Sequence, residues 1–289
     1  MELSFKKAVI WLLDRPGGRG ILARVASGVV QRGGGDGVEI AYVDGMWTRR
    51  VGPLFFPDGP QFRYEYADFG GWARQADAYV TDAKDFWLKH YEPQEGDVIV
   101  DAGAGRGEDT LAFSRGVGRT GRVIAVEAHP DTFAILRSFC RLNGLANVKP
   151  VQAALMDSPG TVHFAESKST WMGATVTRDG DSRGIEVRAR TLDELCAEEG
   201  VANVAFLKMN IEGAERYALL GMERMFSHVR QICVACHDFR ADLGHGEEFR
   251  TRALVERILA RHGFTLVSRP EDPRDYVRDH VFGLRGGRS

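Results

Sequence analysis

Residues 98–111 read VIVDAGAGRGEDTL, and this stretch decides the fold. Three apolar residues lead directly to Asp101, and glycines then follow at positions 103, 105 and 107. Glycines at this spacing let the backbone turn sharply and approach a ligand, because no Cβ lies in the way. The first amides of the helix that begins near Glu108 have no partner within the helix and can face that ligand. The stretch therefore predicts a strand, a turn and a helix start around a nucleotide-like ligand.

The spacing of the three glycines distinguishes two kinds of nucleotide site. The dinucleotide pattern G-x-G-x-x-G requires its third glycine three residues after the second, and Glu108 occupies that position here. The stretch instead resembles motif I of the class I S-adenosylmethionine (SAM) methyltransferases. Asp101 is then a candidate for orienting the sulfonium and amino-acid end of SAM, with an NAD site as the alternative. The residues expected to form the turn around SAM are Gly103, Ala104, Gly105 and Gly107.

Composition restricts the class of protein. The chain has 289 residues, of which 44% are hydrophobic and 27% charged, as in ordinary globular proteins. A net charge of −2 gives no electrostatic basis for binding nucleic acid. Four scattered cysteines favour a reduced, cytoplasmic setting, and Cys233 and Cys236 lie in a strand-like run that predicts core thiols. The apolar run 8–13 is too short for a signal peptide or a membrane span.

Residues 1–75 are predicted to form an N-terminal extension. Helices are expected at 2–13 and 20–31, and a hairpin at 38–43 and 46–51, because Asp44 and Gly45 form a two-residue link between two strand-like runs. The apolar stripe of the second helix suits packing against the main body or a second subunit in a homodimer. Membrane-surface binding is a weaker alternative, and no stable membrane insertion is expected. Aromatic residues are concentrated between 55 and 91 and suit core packing, a substrate pocket or a lid.

Residues 76–289 are predicted to form a SAM-binding methyltransferase domain. Strand and helix patterns alternate, which predicts an α/β, Rossmann-like fold with a mostly parallel seven-stranded sheet and helices on both faces. The expected strands are 98–101, 122–127, 148–154, 204–210, 229–237, 264–268 and 280–284. The expected helices are 76–90, 108–116, 131–142, 192–199, 215–225 and 248–262. An antiparallel pair, 161–166 with 185–190, is expected beyond the third strand, and Thr191 with Glu194 predicts a capping box.

Glu127 ends the second predicted strand, 20 residues after Gly107. A carboxylate at this place can accept hydrogen bonds from both ribose hydroxyls of an adenosyl group, as in the dinucleotide fold. A solvated carboxylate at a strand end is the simpler interpretation, but the glycine turn favours the ribose role. Ala128 is then expected near the adenine, and Ala154 near its other edge.

Three further stretches carry a more specific resemblance. DAGA (residues 101–104), TLDEL (191–195) and LKMNIEGAE (207–215) resemble motifs of the FkbM-type family of SAM-dependent methyltransferases. The resemblance covers residues of about 98 to 225, and its general pattern extends to about 285. It implies SAM as the cofactor and methyl transfer to a hydroxyl of a polyketide, sugar or other natural product.

Two residues depart from the pattern of that family. Its aspartate after the fourth strand is Asn210 here, and a glutamate near the end of the fifth strand is replaced by Ala235. Loss of a carboxylate weakens a divalent-metal site, so magnesium is not favoured, although Glu212, Glu215, His237 and Asp238 carry suitable ligand atoms. Asn210 can still hydrogen-bond the SAM amino group or a substrate hydroxyl.

Four residues are assigned to the methyl-acceptor end: Lys208, Asn210, Glu212 and His237. His237 follows an apolar strand at the sheet edge where ligands bind, and its ordinary pKa of about 6.5 suits a general base; a structural histidine is the alternative. Lys208 lies inside a strand and is expected to pair with Glu212 or another carboxylate. The resulting hypothesis is an O-methyltransferase acting on a hydroxylated small molecule. The alternatives are N-methylation of an amine or amide, and a non-catalytic SAM-binding protein.

Overall fold

The computed structural model describes residues 2–35, 37–63, 72–164, 176–177 and 184–286. The chain forms two compact units, one of residues 1–82 with 137–145 and one of residues 83–136 with 146–289. The domain boundary expected after residue 75 remains a prediction. Within the described ranges, no helix is both long enough and apolar enough to cross a membrane.

The first unit contains the predicted helices and hairpin. Its elements are α1 (Glu2–Leu13), α2 (Arg19–Arg32), β1 (Val38–Val43), β2 (Met46–Val51) and β3 (Leu54–Gly59), and α3 (Trp72–Phe86) begins in it. Strands β1 and β2 pair antiparallel around Asp44 and Gly45, which confirms the hairpin. Leu22, Ala26 and Val30 are the buried residues of α2. Ile21, Val25 and Val29 remain exposed in the described structure, and the homodimer contact expected on this stripe remains a prediction.

Strand β3 was not predicted, because Pro57 lies within it. Proline cannot donate a ladder hydrogen bond and argues against a central strand. The sheet has the order β1-β2-β3, so the proline lies on an edge strand, where that donor is not needed. Asn143 supports β3 from the same unit: its Oδ1 accepts the Phe55 backbone N–H at 2.9 Å, and its Nδ2 donates to the Phe55 carbonyl at 2.8 Å.

The second unit is organised around a seven-stranded sheet with the order β13-β14-β12-β11-β4-β5-β6. Its strands are β4 (Val98–Ala102), β5 (Arg122–Glu127), β6 (Val148–Gln152), β11 (Val204–Met209), β12 (Val229–Ala235), β13 (Thr265–Ser268) and β14 (His280–Leu284). The pairs from β6 to β12 are parallel, whereas β14 runs antiparallel to both β12 and β13. This reversed strand confirms the class I methyltransferase fold expected from the sequence.

Helices cover both faces of this sheet. They are α4 (Glu108–Val117), α5 (Pro130–Leu142), α6 (Leu192–Glu198), α7 (Glu215–Leu220), α8 (Asp238–Asp242), α9 (Arg252–Arg261) and α10 (Asp275–Arg278). Val100 and Leu207 face a core that includes Leu195 of α6 and Leu259 of α9. Phe206 points to the opposite face, where its ring contacts Phe113 of α4. A parallel sheet covered on both faces explains the nearly continuous apolar strands.

A smaller sheet, β7-β10-β8-β9, contains β7 (Ala154–Leu155), β8 (Gly160–Phe164), β9 (Val176–Thr177) and β10 (Ile185–Arg190). The predicted antiparallel pair corresponds to β8 and β10. The third predicted strand was too long: β6 ends at Gln152, and Ala154 pairs with β10 instead. The capping box at α6 is confirmed, because Glu194 N–H donates to Thr191 Oγ1 at 3.1 Å and Thr191 N–H donates to Glu194 Oε2 at 3.3 Å.

Several helix boundaries differ from the prediction. Helix α3 begins at Trp72 and ends at Phe86, four residues before His90. Helix α7 ends at Leu220, and Gly221 follows as its C-cap. Only glycine fits there, because a Cβ would lie 2.1 Å from the Met156 carbonyl oxygen. Helix α9 was expected over 248–262 and is shorter at both ends. The short helices α8 and α10 were not predicted, because four or five residues are too few to show a helical period.

Candidate active site

The glycine turn lies between β4 and α4. Gly103, Gly105 and Gly107 all have positive φ, at 75°, 56° and 102°, which is the conformation that glycine adopts without strain. The N–H groups of Gly103 and Ala104 both donate to the Val126 carbonyl at 2.9 Å. The turn also packs against the end of β11, because a Cβ on Gly103 would lie 1.9 Å from the Asn210 carbonyl oxygen.

Glu127 lies beside this turn at the end of β5. Its Oε2 accepts the Gly105 N–H at 3.0 Å, and its Oε1 accepts the His129 N–H at 2.8 Å. Burial raises the pKa of this carboxyl, and the two backbone donors oppose that rise. The two hydrogen bonds hold the carboxylate at the edge of a cavity of about 330 Å³.

This first cavity brings together nine residues predicted from the sequence. They are Gly103, Ala104, Gly105, Glu127, Ala128, Ala154, Lys208, Asn210 and Glu212. The prediction missed Asp109, which also lines the cavity. Burial raises the pKa of Asp109 to about 7, although the nearby Lys208 opposes that rise. A helix-start carboxylate in a polar run gives no sign in the sequence that it faces a cavity.

Lys208 connects β11 to the glycine turn. Its Nζ lies 2.9 Å from Asp101 Oδ1 and donates to the Gly103 carbonyl at 2.7 Å. The side chains of Lys208 and Asp101 are both buried, at 1% and 0% exposure. Burial alone would lower the pKa of Lys208, but Asp101 and Asp109 outweigh it and raise that pKa. Lys208 therefore keeps its charge and pairs with Asp101, not with Glu212.

A second cavity, of about 440 Å³, lies at the carboxyl ends of β11 and β12. Asn210 and Glu212 line both cavities. The remaining lining residues are largely aromatic or basic: Phe86, Trp87, Phe239, Tyr276, His237, His245, His280 and Arg240, with Ala235 and Cys236. The cavity therefore has an apolar surface with a few polar groups, as expected of a site for a small organic molecule.

Ion pairs fix one aromatic wall of the second cavity. Asp85 precedes Phe86 at the end of α3 and lies 2.6 Å from Arg274 Nη2 and 3.2 Å from Arg269 Nη2. Arg269 also donates to the Asp85 carbonyl at 2.7 Å. Both arginines belong to the connection between β13 and β14, so this wall is held from two distant parts of the chain.

Glu212 and His237 meet where the two cavities join. Glu212 is a non-glycine residue with φ of 55°, a strained conformation that is concentrated at functional sites. Its Oε2 accepts a hydrogen bond from Arg240 Nη1, and its Oε1 lies 3.5 Å from His237 Nε2. On the other side of the ring, Nδ1 lies 3.1 Å from Glu215 Oε1. Burial raises the pKa of Glu212, but His237 and Arg240 outweigh it and lower that pKa overall.

The comparison with known proteins identifies the family. A family model described as the methyltransferase FkbM domain matches residues 101–266. The chain belongs to the FkbM methyltransferase family.

The individual proteins that resemble this chain share only a modest fraction of its sequence. This FkbM chain is 33% identical over 90 residues to 31-O-demethyl-FK506 methyltransferase FkbM from Streptomyces tacrolimicus. The match covers 31% of each chain, so it spans about a third of that relative. The crystal structure of an FkbM methyltransferase from Methylobacillus flagellatus KT aligns with a TM-score of 0.44 at 17% identity, over 75% of this chain and 54% of that one. Aeropyrum pernix fibrillarin, solved with SAM, aligns with a TM-score of 0.41 at 16% identity, over 85% and 97%.

Three residues predicted for the FkbM site do not line the first cavity. Asp101 is enclosed, and its Oδ2 accepts a hydrogen bond from Thr110 Oγ1 at 2.6 Å. It therefore holds Lys208 and Thr110 instead of facing a ligand, which corrects the role expected for it. Gly107 lies directly before α4 and shapes the turn, and His237 lines the second cavity.

The surroundings of His237 do not suit the general base expected from the sequence. Burial lowers the pKa of His237, but Glu215 and Glu212 outweigh this effect and raise it to about 10. At neutral pH the ring is an imidazolium, which has two donors and no lone pair to accept a proton. We therefore assign His237 to the charge pairing of this FkbM site and not to proton transfer.

The buried charge of His237 predicts a pH-dependent stability. Because the folded pKa is about 10, its stabilising effect is complete below the ordinary pKa of about 6.5 and is lost as the pH rises toward 10. The difference in the free energy of unfolding between wild type and His237→Gln should therefore shrink across this window, by at most about 1.4 kcal/mol per pH unit. Urea unfolding at several pH values measures it.

The exposed His228→Gln provides the control for that series. His228 lies outside both cavities, so its variant should follow the wild-type pH dependence. A difference between wild type and His237→Gln that is constant or grows with pH would show that His237 is neutral in the folded protein.

Cys233 and Cys236 are both buried and free, which confirms the prediction of core thiols. Burial raises the pKa of both thiols well above its ordinary value. The aromatic segment 55–91 was expected to contribute to a substrate pocket, and Phe86 and Trp87 do line the second cavity. Residues 64–71 of that segment lie outside the described residues.

Proposed function

We propose that this FkbM methyltransferase transfers the methyl group of SAM to a hydroxyl oxygen of a small natural product, such as a polyketide or a sugar. The observation that supports this proposal is the pair of adjoining cavities that share Asn210 and Glu212. One cavity has the features of a nucleoside site, and the other has aromatic walls. Methyl transfer requires the donor and the acceptor oxygen to be held side by side and in line, and two adjoining cavities suit that requirement.

The first cavity fits SAM by its size and by the groups that line it. Its volume of about 330 Å³ is within the usual range for a small-molecule site. Glu127 would accept the ribose hydroxyls, Ala128 and Ala154 would lie beside the adenine, and Asn210 would contact the amino-acid end. The SAM molecule supplies an activated methyl group. What the protein must add is the orientation of the acceptor and a group to take its proton.

The second cavity suits an acceptor with an apolar body and a hydroxyl group. Phe86, Trp87, Phe239 and Tyr276 provide aromatic surface, and the Asn210 amide can donate to or accept from a hydroxyl. The name of the Streptomyces tacrolimicus relative refers to an O-demethyl compound, and this supports an oxygen as the acceptor here.

The pairing of the polar residues at this end favours a site without a divalent metal. Within the described part of the chain, no group of three or more His, Cys, Asp or Glu side chains could hold a metal ion. Both ring nitrogens of His237 already face carboxylates, and the Glu212 carboxylate forms an ion pair with Arg240. We therefore propose a reaction in which these residues hold no metal.

Binding and product analysis together test the proposed function. Isothermal titration should show heat with SAM, and incubation with methyl-labelled SAM and a panel of hydroxylated and amine compounds should yield a methyl ether. Absence of SAM binding would contradict the proposal entirely. Label found only on nitrogen would instead support the N-methyltransferase alternative.

Glu127 provides the sharpest test of the donor site. We expect Glu127→Gln to weaken SAM binding about 10- to 100-fold, because a hydrogen bond to a charged group is worth about 1.5–3 kcal/mol. Isothermal titration measures the change in Kd, and thermal unfolding checks that the variant is folded. Glu186→Gln removes an exposed carboxylate and should leave the Kd unchanged. Equal affinities of wild type and Glu127→Gln would remove this residue from the SAM site.

A further inference from the structure

The second cavity contains a histidine, His280, whose protonation state differs from that of His237. His280 is 3% exposed and lies among aromatic rings. Burial lowers the pKa of His280 to about 4, the Phe86 carbonyl opposes this shift, and the positive charge of His237 adds to it. His280 is therefore neutral at physiological pH, whereas His237 is charged.

Hydrogen bonding fixes which nitrogen of His280 carries the proton. Nδ1 lies 3.3 Å from the Phe86 carbonyl oxygen. A carbonyl oxygen can only accept, so Nδ1 must be the protonated nitrogen, and Nε2 of the neutral ring keeps its lone pair. Trp87 stacks on the ring at 4.6 Å between centroids and an interplanar angle of 18°, which restrains the ring plane. Nε2 makes no hydrogen bond within the described part of the chain.

The reversed strand explains why this nitrogen lies at the active-site edge. His280 is the first residue of β14, and it pairs with Ala235, the last residue of β12. Because β14 runs antiparallel to β12, its beginning lies at the carboxyl ends of the parallel strands, where ligands bind in such folds. Both Ala235 and His280 line the second cavity.

The carboxylate of this cavity and the nearby basic side chains that act on His280 are already paired. Glu212 is bound by Arg240 and His237, and Lys208 and Arg269, which also act on the His280 charge, pair with Asp101 and Asp85. A proton acceptor needs a free lone pair within reach of the substrate. Nε2 of His280 keeps its lone pair in a residue that lines the cavity, whereas both nitrogens of His237 face carboxylates.

We propose that Nε2 of His280 accepts the proton of the substrate hydroxyl during methyl transfer, an inference that rests on the proposed function. The acceptor oxygen forms its bond to the methyl carbon, the carbon–sulfur bond breaks and leaves its electron pair on sulfur, and the O–H proton moves to Nε2. An oxygen that has gained a methyl group before losing its proton is a strong acid, so a weakly basic imidazole suffices. The proton passes to solvent when the product leaves.

Two substitutions remove the basic nitrogen of His280 and keep a polar side chain of similar size. His280→Asn keeps an N–H near the position of Nδ1 and has no basic nitrogen, and His280→Gln places an amide near Nε2. We expect kcat to fall about 100-fold or more in both variants, the usual contribution of a general base, while the acceptor KM and the SAM Kd change little. His228→Gln, which lies outside both cavities, is the matched control. A wild-type kcat in either folded variant would overturn the inference.

A spectroscopic measurement on the ligand-free protein tests the inference without turnover. Histidine labelled with ¹⁵N should show His280 as the neutral tautomer protonated at Nδ1, with no titration above about pH 5. An imidazolium at neutral pH, or a proton on Nε2, would overturn the inference even if the variants do not fold. If wild type methylates only nitrogen, or nothing, while the tautomer is as expected, the proposed function has failed and the proton role fails with it. If wild type methylates hydroxyls and the tautomer is wrong, only the inference has failed.

Discussion

Gly103→Ala should abolish SAM binding and lower the free energy of unfolding by about 2–5 kcal/mol. Two costs combine at this position. The φ of 75° is unfavourable for any residue with a Cβ, and that Cβ would lie 1.9 Å from the Asn210 carbonyl oxygen. The turn must then separate from the end of β11, and this movement disturbs the wall that both cavities share. Urea unfolding and isothermal titration measure the two effects.

Gly105→Ala is the matched control for this substitution. Gly105 has a similar φ of 56°, but nothing lies within 4 Å of the Cβ that alanine would add. Only the backbone cost of about 1–2 kcal/mol should therefore appear. Equal losses of stability for Gly103→Ala and Gly105→Ala would show that the contact with Asn210 is not tight in solution.

Lys208→Met should destabilise the protein by about 3–5 kcal/mol, because it leaves a buried carboxylate without its partner. Asp101 is 0% exposed, and Lys208 also donates to the Gly103 carbonyl, so the glycine turn loses a support as well. We expect SAM affinity to fall together with stability. Lys149→Met, at an exposed position of β6, should have little effect on either quantity.

A double-mutant cycle shows whether the pair with Asp101 causes this loss. Adding Asp101→Asn to Lys208→Met removes the unpaired charge, and the double variant should recover about 1–3 kcal/mol relative to the sum of the single changes. Urea unfolding of the four proteins gives the coupling energy. Strictly additive losses would assign the effect of Lys208 to packing and to its bond with Gly103, not to the ion pair.

The parts of the fold that the sequence predicted have strong local patterns. The apolar strands around VIVDAGA and the glycine spacing identify a turn at the end of a parallel strand, and Thr191 with Glu194 marks a helix start. Strand β3 was missed because Pro57 obscures its pattern. The short helices α8 and α10 were missed because their length is close to a single helical turn.

The pairing of side chains in the site depends on strand register, which the sequence does not contain. Lys208 and Asp101 are direct partners across β11 and β4, yet they lie far apart in the chain. His280 reaches the active-site edge only because β14 is reversed and places it opposite Ala235. His237 was the natural candidate for a base by its position after β12, but its charge depends on Glu215, whose side chain folds back toward it.

The salt bridges of Asp85 have a consequence for the exchange of substrate specificity between relatives. The end of α3 and the connection between β13 and β14 form one wall only as a matched set, since Arg269 and Arg274 pair with the same carboxylate. A chimera that replaces one of these segments alone would lose the ion pairs that join the two segments. Only the local pairs would remain, those of Arg269 and Arg274 with Asp272 and that of Lys89 with Asp85. Segments that build the acceptor pocket should therefore be inherited, or transplanted, together.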